Sequence, residues 1–220
     1  MYKINILAGG PEKNFPKNFK KFLLPTYKWI GVDAGAIFLI NHGINDITSI
    51  GDFDSLTTCQ YEVVKKKSNS KNFFQASPKK NFTDTELALT WVGKHYNVNE
   101  ISEINLFGMT GNRLDHEMNN LLNIFLPPYK PLIAKIKVYD KYNIVRFFNA
   151  GKYVIKNERN KRYLGFVLLN NVTNFNIEEA KYNLKNFSSK IDRVFASNEF
   201  INNKKIRISF SSGNIMAIFS

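Results

Sequence analysis

Only one cysteine, Cys59, occurs in the 220 residues, so no intrachain disulfide can form, and the 3 histidines fall at no zinc-ligand spacing with it. A reducing compartment follows as the expectation. Long apolar runs are missing too. The N-terminal stretch 4–8 is broken by Asn5 and stopped by Gly9-Gly10-Pro11, too short for a signal-peptide core, and no run approaches the ~18 residues of a spanning helix. These absences predict a cytoplasmic protein without a membrane partner. Acidic residues are scarce, 18 against 31 Lys+Arg, for a net charge of +13. Such a balance ordinarily raises nucleic acid as a partner. Here the excess is mostly Lys scattered among Asn, Ile, Phe and Tyr, and the runs 65–67 and 79–80 read as solvated loops or helix ends. No aromatic-basic motif accompanies them, so no specific nucleic-acid partner is expected. With only 12 Gly and 7 Pro beside 44% hydrophobic residues, collagen-like, mucin-like and disordered classes are excluded.

The chain reads in two halves. Up to residue 140, short apolar runs at 4–8, 28–32, 49–51, 72–75, 103–107 and 135–139 alternate with helical patterns at 34–41, 58–66, 84–95 and 115–125. That alternation predicts α/β architecture, a mostly parallel sheet flanked by helices in the Rossmann-like manner. Residues 141–220 carry β-rich runs at 144–148, 152–155, 163–169, 193–196, 206–211 and 215–219 and no convincing amphipathic helix. Gly151, Asn170-Asn171 and Ser212-Gly213-Asn214 read as the turns between them, which predicts a small all-β domain.

In an open parallel sheet, ligands bind beyond the carboxyl ends of the strands. Four loops there carry Asp: Asp33 after 28–32, Asp52 and Asp54 in Gly51-Asp52-Phe53-Asp54-Ser55, Asp84 in Lys80-Asn81-Phe82-Thr83-Asp84, and Asp115 in Gly111-Asn112-Arg113-Leu114-Asp115-His116. Crowded carboxylates raise one another's pKa, and a hard divalent cation such as Mg²⁺ removes the conflict. In an extended segment Asp52 and Asp54 project to one side while Phe53 points into packing. Structural readings stand beside these. Thr83-Asp84-Thr85-Glu86 is a capping box, Asp115 fits an N-cap, and Asp33 could merely open a helix. Gly9-Gly10 and Gly108-Met109-Thr110-Gly111 allow close backbone approach, where main-chain N–H groups could face phosphate. Arg113 could hold a phosphate bidentately and Lys80 could act as a point charge. His116 lacks the second His of a zincin helix. The same acids with water as nucleophile would suit an Mg²⁺-dependent phosphohydrolase or nuclease.

Taken together, Leu7-Ala8-Gly9-Gly10, Val32-Asp33-Ala34-Gly35-Ala36, Gly51-Asp52-Phe53-Asp54-Ser55, Phe82-Thr83-Asp84-Thr85-Glu86 and Gly111-Asn112-Arg113-Leu114-Asp115-His116 resemble thiamine pyrophosphokinase in order and spacing. Lys181-Tyr182-Asn183-Leu184 and Ser197-Asn198-Glu199 extend the resemblance into the β-rich half. It implies transfer of the pyrophosphoryl group of ATP to the hydroxyl of thiamine, giving thiamine diphosphate and AMP, with Mg²⁺. It also implies a nucleotide domain followed by a β-sandwich domain for thiamine binding and dimerisation, in a homodimer with thiamine bound between chains. By position, the resemblance makes Asp52, Asp54 and Asp84 the catalytic and metal acids. Gly9, Gly10, Asp33, Lys80, Thr83, Gly111, Arg113, Asp115 and His116 fall on the ATP side, and Ser197 and Asn198 on the thiamine side. Two departures stand out: Asn81 where the family has Asp, and Asn112 in place of the second Gly of Gly-Gly-Arg.

Overall fold

The computed structural model describes residues 1–24, 26–68, 71–77, 82–202 and 204–220, and the chain divides into two compact units, Met1–Lys141 and Tyr142–Ser220. Lys79, Lys80 and Asn81 lie outside the described residues.

The first unit alternates strand and helix: β1 (Tyr2–Leu7), β2 (Lys28–Val32), α1 (Ala34–Asn41), β3 (Ile47–Gly51), α2 (Thr58–Lys67), β4 (Phe73–Gln75), α3 (Asp84–His95), β5 (Ile101–Phe107), α4 (Leu114–Leu122) and β6 (Ile136–Tyr139). The strands run in the order β4-β3-β2-β1-β5-β6, and every pairing is parallel. Parallel pairing sends the carboxyl ends of all six strands to one edge. The order reverses between β1 and β5, the place where an open α/β sheet forms its crevice.

Side chains alternate across the sheet. One face presents Ile4, Ile6, Ile30, Ile104 and Leu106, all buried. The other carries Trp29, Phe107 and Tyr139 under Phe19 and Phe22 of a 3₁₀ turn at Phe19–Phe22, with the Phe107 ring 5.1 Å from Phe19, 4.7 Å from Phe22 and 5.4 Å from Tyr139. Within this aromatic layer sits a polar pair. Asn5 and Asn105 face each other in register across the β1–β5 junction; Asn105 Nδ2 donates to Asn5 Oδ1 (3.0 Å), and Asn5 Nδ2 donates to the Phe22 carbonyl (3.3 Å). A one-residue slip of β5 would leave these buried amides unmatched, so the pair helps to fix the register on which the edge depends.

The second unit is built of β7 (Ile144–Ile155), β8 (Tyr163–Glu178), β9 (Leu184–Ser189), β10 (Arg193–Glu199) and β11 (Ile206–Phe219), with β11 between β7 and β8 and both β9 and β10 pairing β8, all antiparallel. No helix occurs here among the described residues. Three of the expected turns are not turns. Gly151, Asn170-Asn171 and Ser212-Gly213-Asn214 lie inside β7, β8 and β11, which therefore run 12, 16 and 14 residues. The physical reason is local: Asn170 (φ 61°), Asn171 (φ 59°) and Gly213 (φ 83°) adopt left-handed backbone that kinks a strand without ending it, and the β11 registers shift across Phe210–Asn214. Strand β9 carries no alternation strong enough to have been read from sequence.

Phe107→Ala removes the ring shared by Phe19, Phe22, Trp29 and Tyr139. A loss of about 3–5 kcal/mol in denaturant unfolding is expected for a cavity of that kind. A loss below about 1 kcal/mol would mean that this aromatic layer does not hold the 3₁₀ turn to the sheet.

Candidate active site

Each loop leaving the carboxyl edge of the first unit is shaped by a local backbone requirement. After β2, Asp33 takes φ 46° and ψ −118°, and its Oδ1 accepts a hydrogen bond from Phe53 N (3.1 Å). That oxygen lies where a Cβ on Gly51 would be, 1.8 Å away, so β3 must end in glycine for Asp33 to hold this position. After β3, Phe53 turns the chain at φ 59° and stacks on Phe73 with centroids 4.9 Å apart and planes at 12°. The Asp52–Asp54 segment is therefore not extended, contrary to expectation. Phe53 does point into packing, at 3% exposure, but the turn separates the two acids: Asp52 is half-buried, whereas Asp54 is exposed and its N–H caps Asp52 Oδ1 at 3.3 Å.

After β4, Thr83 caps α3 in the expected capping box, and Asp84 becomes its first helical residue. The consequence is a cluster of three. One ligand oxygen each from Asp33, Asp52 and Asp84 lies within 4.8 Å of the others, all half-buried. Three hard oxygen donors of this kind suit Mg²⁺, and sequence reasoning had grouped Asp54 rather than Asp33 with the metal. The signal for Asp33 was its place after β2 together with Gly51.

Loops after β1 and β5 clasp one another. Gly10 N donates to the Gly108 carbonyl (3.0 Å), and a Cβ on Gly10 would stand 2.3 Å from that oxygen. Gly108, at φ 67°, is pressed as closely on the Ala8 carbonyl. These glycines serve loop-to-loop packing, and the Gly10 N–H is used inside the protein. So is that of Gly111, which donates to Glu117 Oε2 (3.1 Å) while Asn14 fills the space where its Cβ would go.

Between these loops opens a cleft of about 350 Å³. Of the predicted residues, Gly9, Gly10, Asp33, Asp54, Thr83, Asp84, Arg113 and His116 line it. Asp52 joins through the acid cluster, whereas Gly111 and Asp115 are not among the lining residues. Asp115 is not the N-cap of α4; Arg113 occupies that position, and Asp115 lies in the first turn. The Arg113 guanidinium forks onto Asp115 through Nε (3.2 Å) and Nη2 (2.6 Å). This hydrogen bonding holds the Asp115 carboxyl below its ordinary pKa and raises that of Arg113. Both groups are exposed, so the pair orients the guanidinium more than it stabilises the fold. Sequence reading missed Asn120 in the lining, where Ser55, Thr85 and Met109 also stand, each within a motif singled out from the sequence but given no role of its own. Asn120 Nδ2 donates to the Met109 carbonyl (3.0 Å), and the polar run of Asn119 and Asn120 on α4 with Asn123 at its C-cap was the available clue.

In the second unit, Ser197 takes φ 63° at a bulge of β10. Asn198 beside it is buried, its Oδ1 accepting from Tyr182 N (3.0 Å) and its Nδ2 donating to the Tyr182 carbonyl (2.8 Å). Asn198 thus pins the 181–183 segment, where the Tyr182 side chain stays exposed.

Comparison with known proteins finds likeness over the full chain. A family model described as thiamin pyrophosphokinase, catalytic domain, matches residues 19–137, and one described as thiamin pyrophosphokinase, vitamin B1 binding domain, matches residues 152–215. A thiamine pyrophosphokinase of Bacillus subtilis (strain 168) is 33% identical over 224 residues, covering 100% of this chain and 99% of that protein. Among solved structures, a thiamin pyrophosphokinase family protein from Enterococcus faecalis superposes with TM-score 0.86 at 29% identity, covering 99% of this chain and 98% of its own. The Bacillus subtilis thiamine pyrophosphokinase structure does so with TM-score 0.82 at 31% identity, again over 99% and 98%.

If Gly51 exists to seat Asp33, Gly51→Ala will weaken binding of Mn²⁺, used as a probe for Mg²⁺, by at least about tenfold in calorimetry, since the added methyl displaces one of three ligands. Undiminished Mn²⁺ affinity in the folded variant would remove Asp33 from the metal set.

Proposed function

The chain belongs to the thiamin pyrophosphokinase family, and from that premise we propose how its own residues carry the reaction. The activity is transfer of the pyrophosphoryl group of ATP to the hydroxyl of thiamine, yielding thiamine diphosphate and AMP. The thiamine oxygen bonds to the β-phosphorus as the bond from that phosphorus to the oxygen bridging the α-phosphate breaks, and AMP departs with that oxygen. The hydroxyl proton must go to a base. Such chemistry asks a protein chiefly to position the partners in line and to neutralise charge.

The convergence of Asp33, Asp52 and Asp84 carries this assignment of roles. These three hold Mg²⁺, which when bound neutralises phosphate charge and fixes the phosphate orientation. Asp54, exposed on the cleft wall, is the carboxylate left to accept the thiamine proton. Arg113, aligned by Asp115, meets the ATP phosphates with its remaining donors, and His116 and Gly9 complete the nucleotide wall. Lys80 belongs on the same side by the sequence resemblance. Ser197 and Asn198 form the thiamine side, Asn198 through the segment it pins.

A homodimer completes the reading. Helix α4 has no buried residue, and Leu114, Met118 and Leu122, at i, i+4 and i+8, are 71%, 47% and 37% exposed. An apolar stripe of that length on a helix beside the cleft suits cover by a second copy, with thiamine bound between the chains.

Incubation with ATP, Mg²⁺ and thiamine should give AMP in step with thiamine diphosphate, and Asp54→Ala should lower turnover by two to four orders of magnitude, the usual contribution of a general base. Phosphate release without thiamine would favour a hydrolase. For the dimer, mixing Asp52→Ala and Asn198→Ala chains under exchange should restore about a quarter of wild-type activity per total site, because half the dimers are hybrids and each hybrid holds one intact site. No recovery despite confirmed exchange would place both residues in a site made by one chain.

A further inference from the structure

Thr83 lines the cleft beside Asp84, yet its hydroxyl has nothing left to offer a ligand. A hydroxyl supplies one proton and two lone pairs. The proton goes to Glu86 Oε2 (3.0 Å), and the lone pairs accept from Glu86 N (3.4 Å) and from Asn119 Nδ2 (3.3 Å). Glu86, buried at 6% exposure, also accepts from Thr83 N (2.9 Å), so the first turn of α3 closes on itself. Asn119 is itself held: its Oδ1 accepts from Asn123 Nδ2 at 2.6 Å. The neighbouring Asn120 ties the same helix to the β5 loop through the Met109 carbonyl.

We propose that Thr83 and Asn119 are positioning residues: the Thr83 hydroxyl sets Asp84 toward the metal, and Asn119 joins that turn to α4, the helix capped by Arg113. One hydrogen-bond chain, Asn123 to Asn119 to Thr83 to Glu86, then places the acid that holds the cation and the helix that carries the guanidinium. A capping box alone would steady α3 without reference to α4. The Asn119 contact is the part that a purely helical role does not need. This inference rests on the metal reading of Asp33, Asp52 and Asp84.

The test measures Mn²⁺ binding by electron paramagnetic resonance on nucleotide-free enzyme, with KM for MgATP and for thiamine beside it. Losing a cap or a hydrogen bond of about 1 kcal/mol corresponds to roughly fivefold in an equilibrium. Thr83→Val should weaken Mn²⁺ about five- to tenfold and raise KM for MgATP, with KM for thiamine unmoved. Asn119→Ala should do the same about threefold to fivefold, and Thr83→Ser should restore wild-type values. Because both act through one hydroxyl, the double variant Thr83→Val/Asn119→Ala should bind Mn²⁺ no more weakly than Thr83→Val. A folded Thr83→Val with lowered melting temperature but unchanged Mn²⁺ affinity would overturn the proposal, leaving a structural cap only. If Thr83→Val fails to fold, Asn119→Ala on the half-buried side of α4 decides the question by the same criterion. Wild-type enzyme that binds no Mn²⁺, like Asp52→Ala, would instead remove the metal reading beneath it.

Discussion

Three carboxylates whose ligand atoms lie within 4.8 Å of one another set the terms for the rest of the first unit. Two full negative charges at such a separation repel by on the order of 3 kcal/mol at an effective dielectric near 20. A chain can hold that arrangement only if separate elements oppose the repulsion. Asp33 is fixed by a left-handed backbone, by the Phe53 N–H and by the space Gly51 leaves; Asp52 receives the Asp54 N–H; Asp84 stands at the start of a helix, where the dipole favours an anion. Backbone groups thus contribute to holding the acids, and their half-burial leaves them reachable from the cleft.

Around them the protein uses its main-chain donors to build walls. The Gly10–Gly108 clasp joins the loops on either side of the β1–β5 junction, and beneath it the Asn5–Asn105 pair holds the two strands in register. The N–H groups of Gly10 and Gly111 are committed inside the protein, so neither is offered to the cleft. That use differs from a P-loop, where main-chain N–H groups cradle the phosphate. Helix α4 is inverted by the usual standard: Asn119 and Asn120 bond the Thr83 hydroxyl and the Met109 carbonyl, while Leu114, Met118 and Leu122 are exposed.

Much of this was legible in the sequence because parallel strands end at one edge, so an Asp after each strand run is a spatial statement. The capping box at Thr83 was readable for the same reason: its residues are local. What stayed hidden depended on backbone sign. Phe53 at φ 59° breaks the alternation that would have set Asp54 beside Asp52, and residues other than glycine give little warning of such a turn. The long kinked strands of the second unit failed in the same way, since Asn-Asn inside a strand and Asn-Asn at a turn look alike. The approach of Asp33 to Asp52 and Asp84 depends on the space that Gly51 leaves for its carboxylate, which no spacing rule contains.

The proposed arrangement has the cation among Asp33, Asp52 and Asp84, with Asp54 outside. Anomalous diffraction from crystals grown with Mn²⁺ and a non-hydrolysable ATP analogue measures this directly. A manganese peak within coordination distance, about 2.2 Å, of one oxygen from each of those three carboxylates is expected. A peak ligated by Asp54 and not by Asp33 would contradict it.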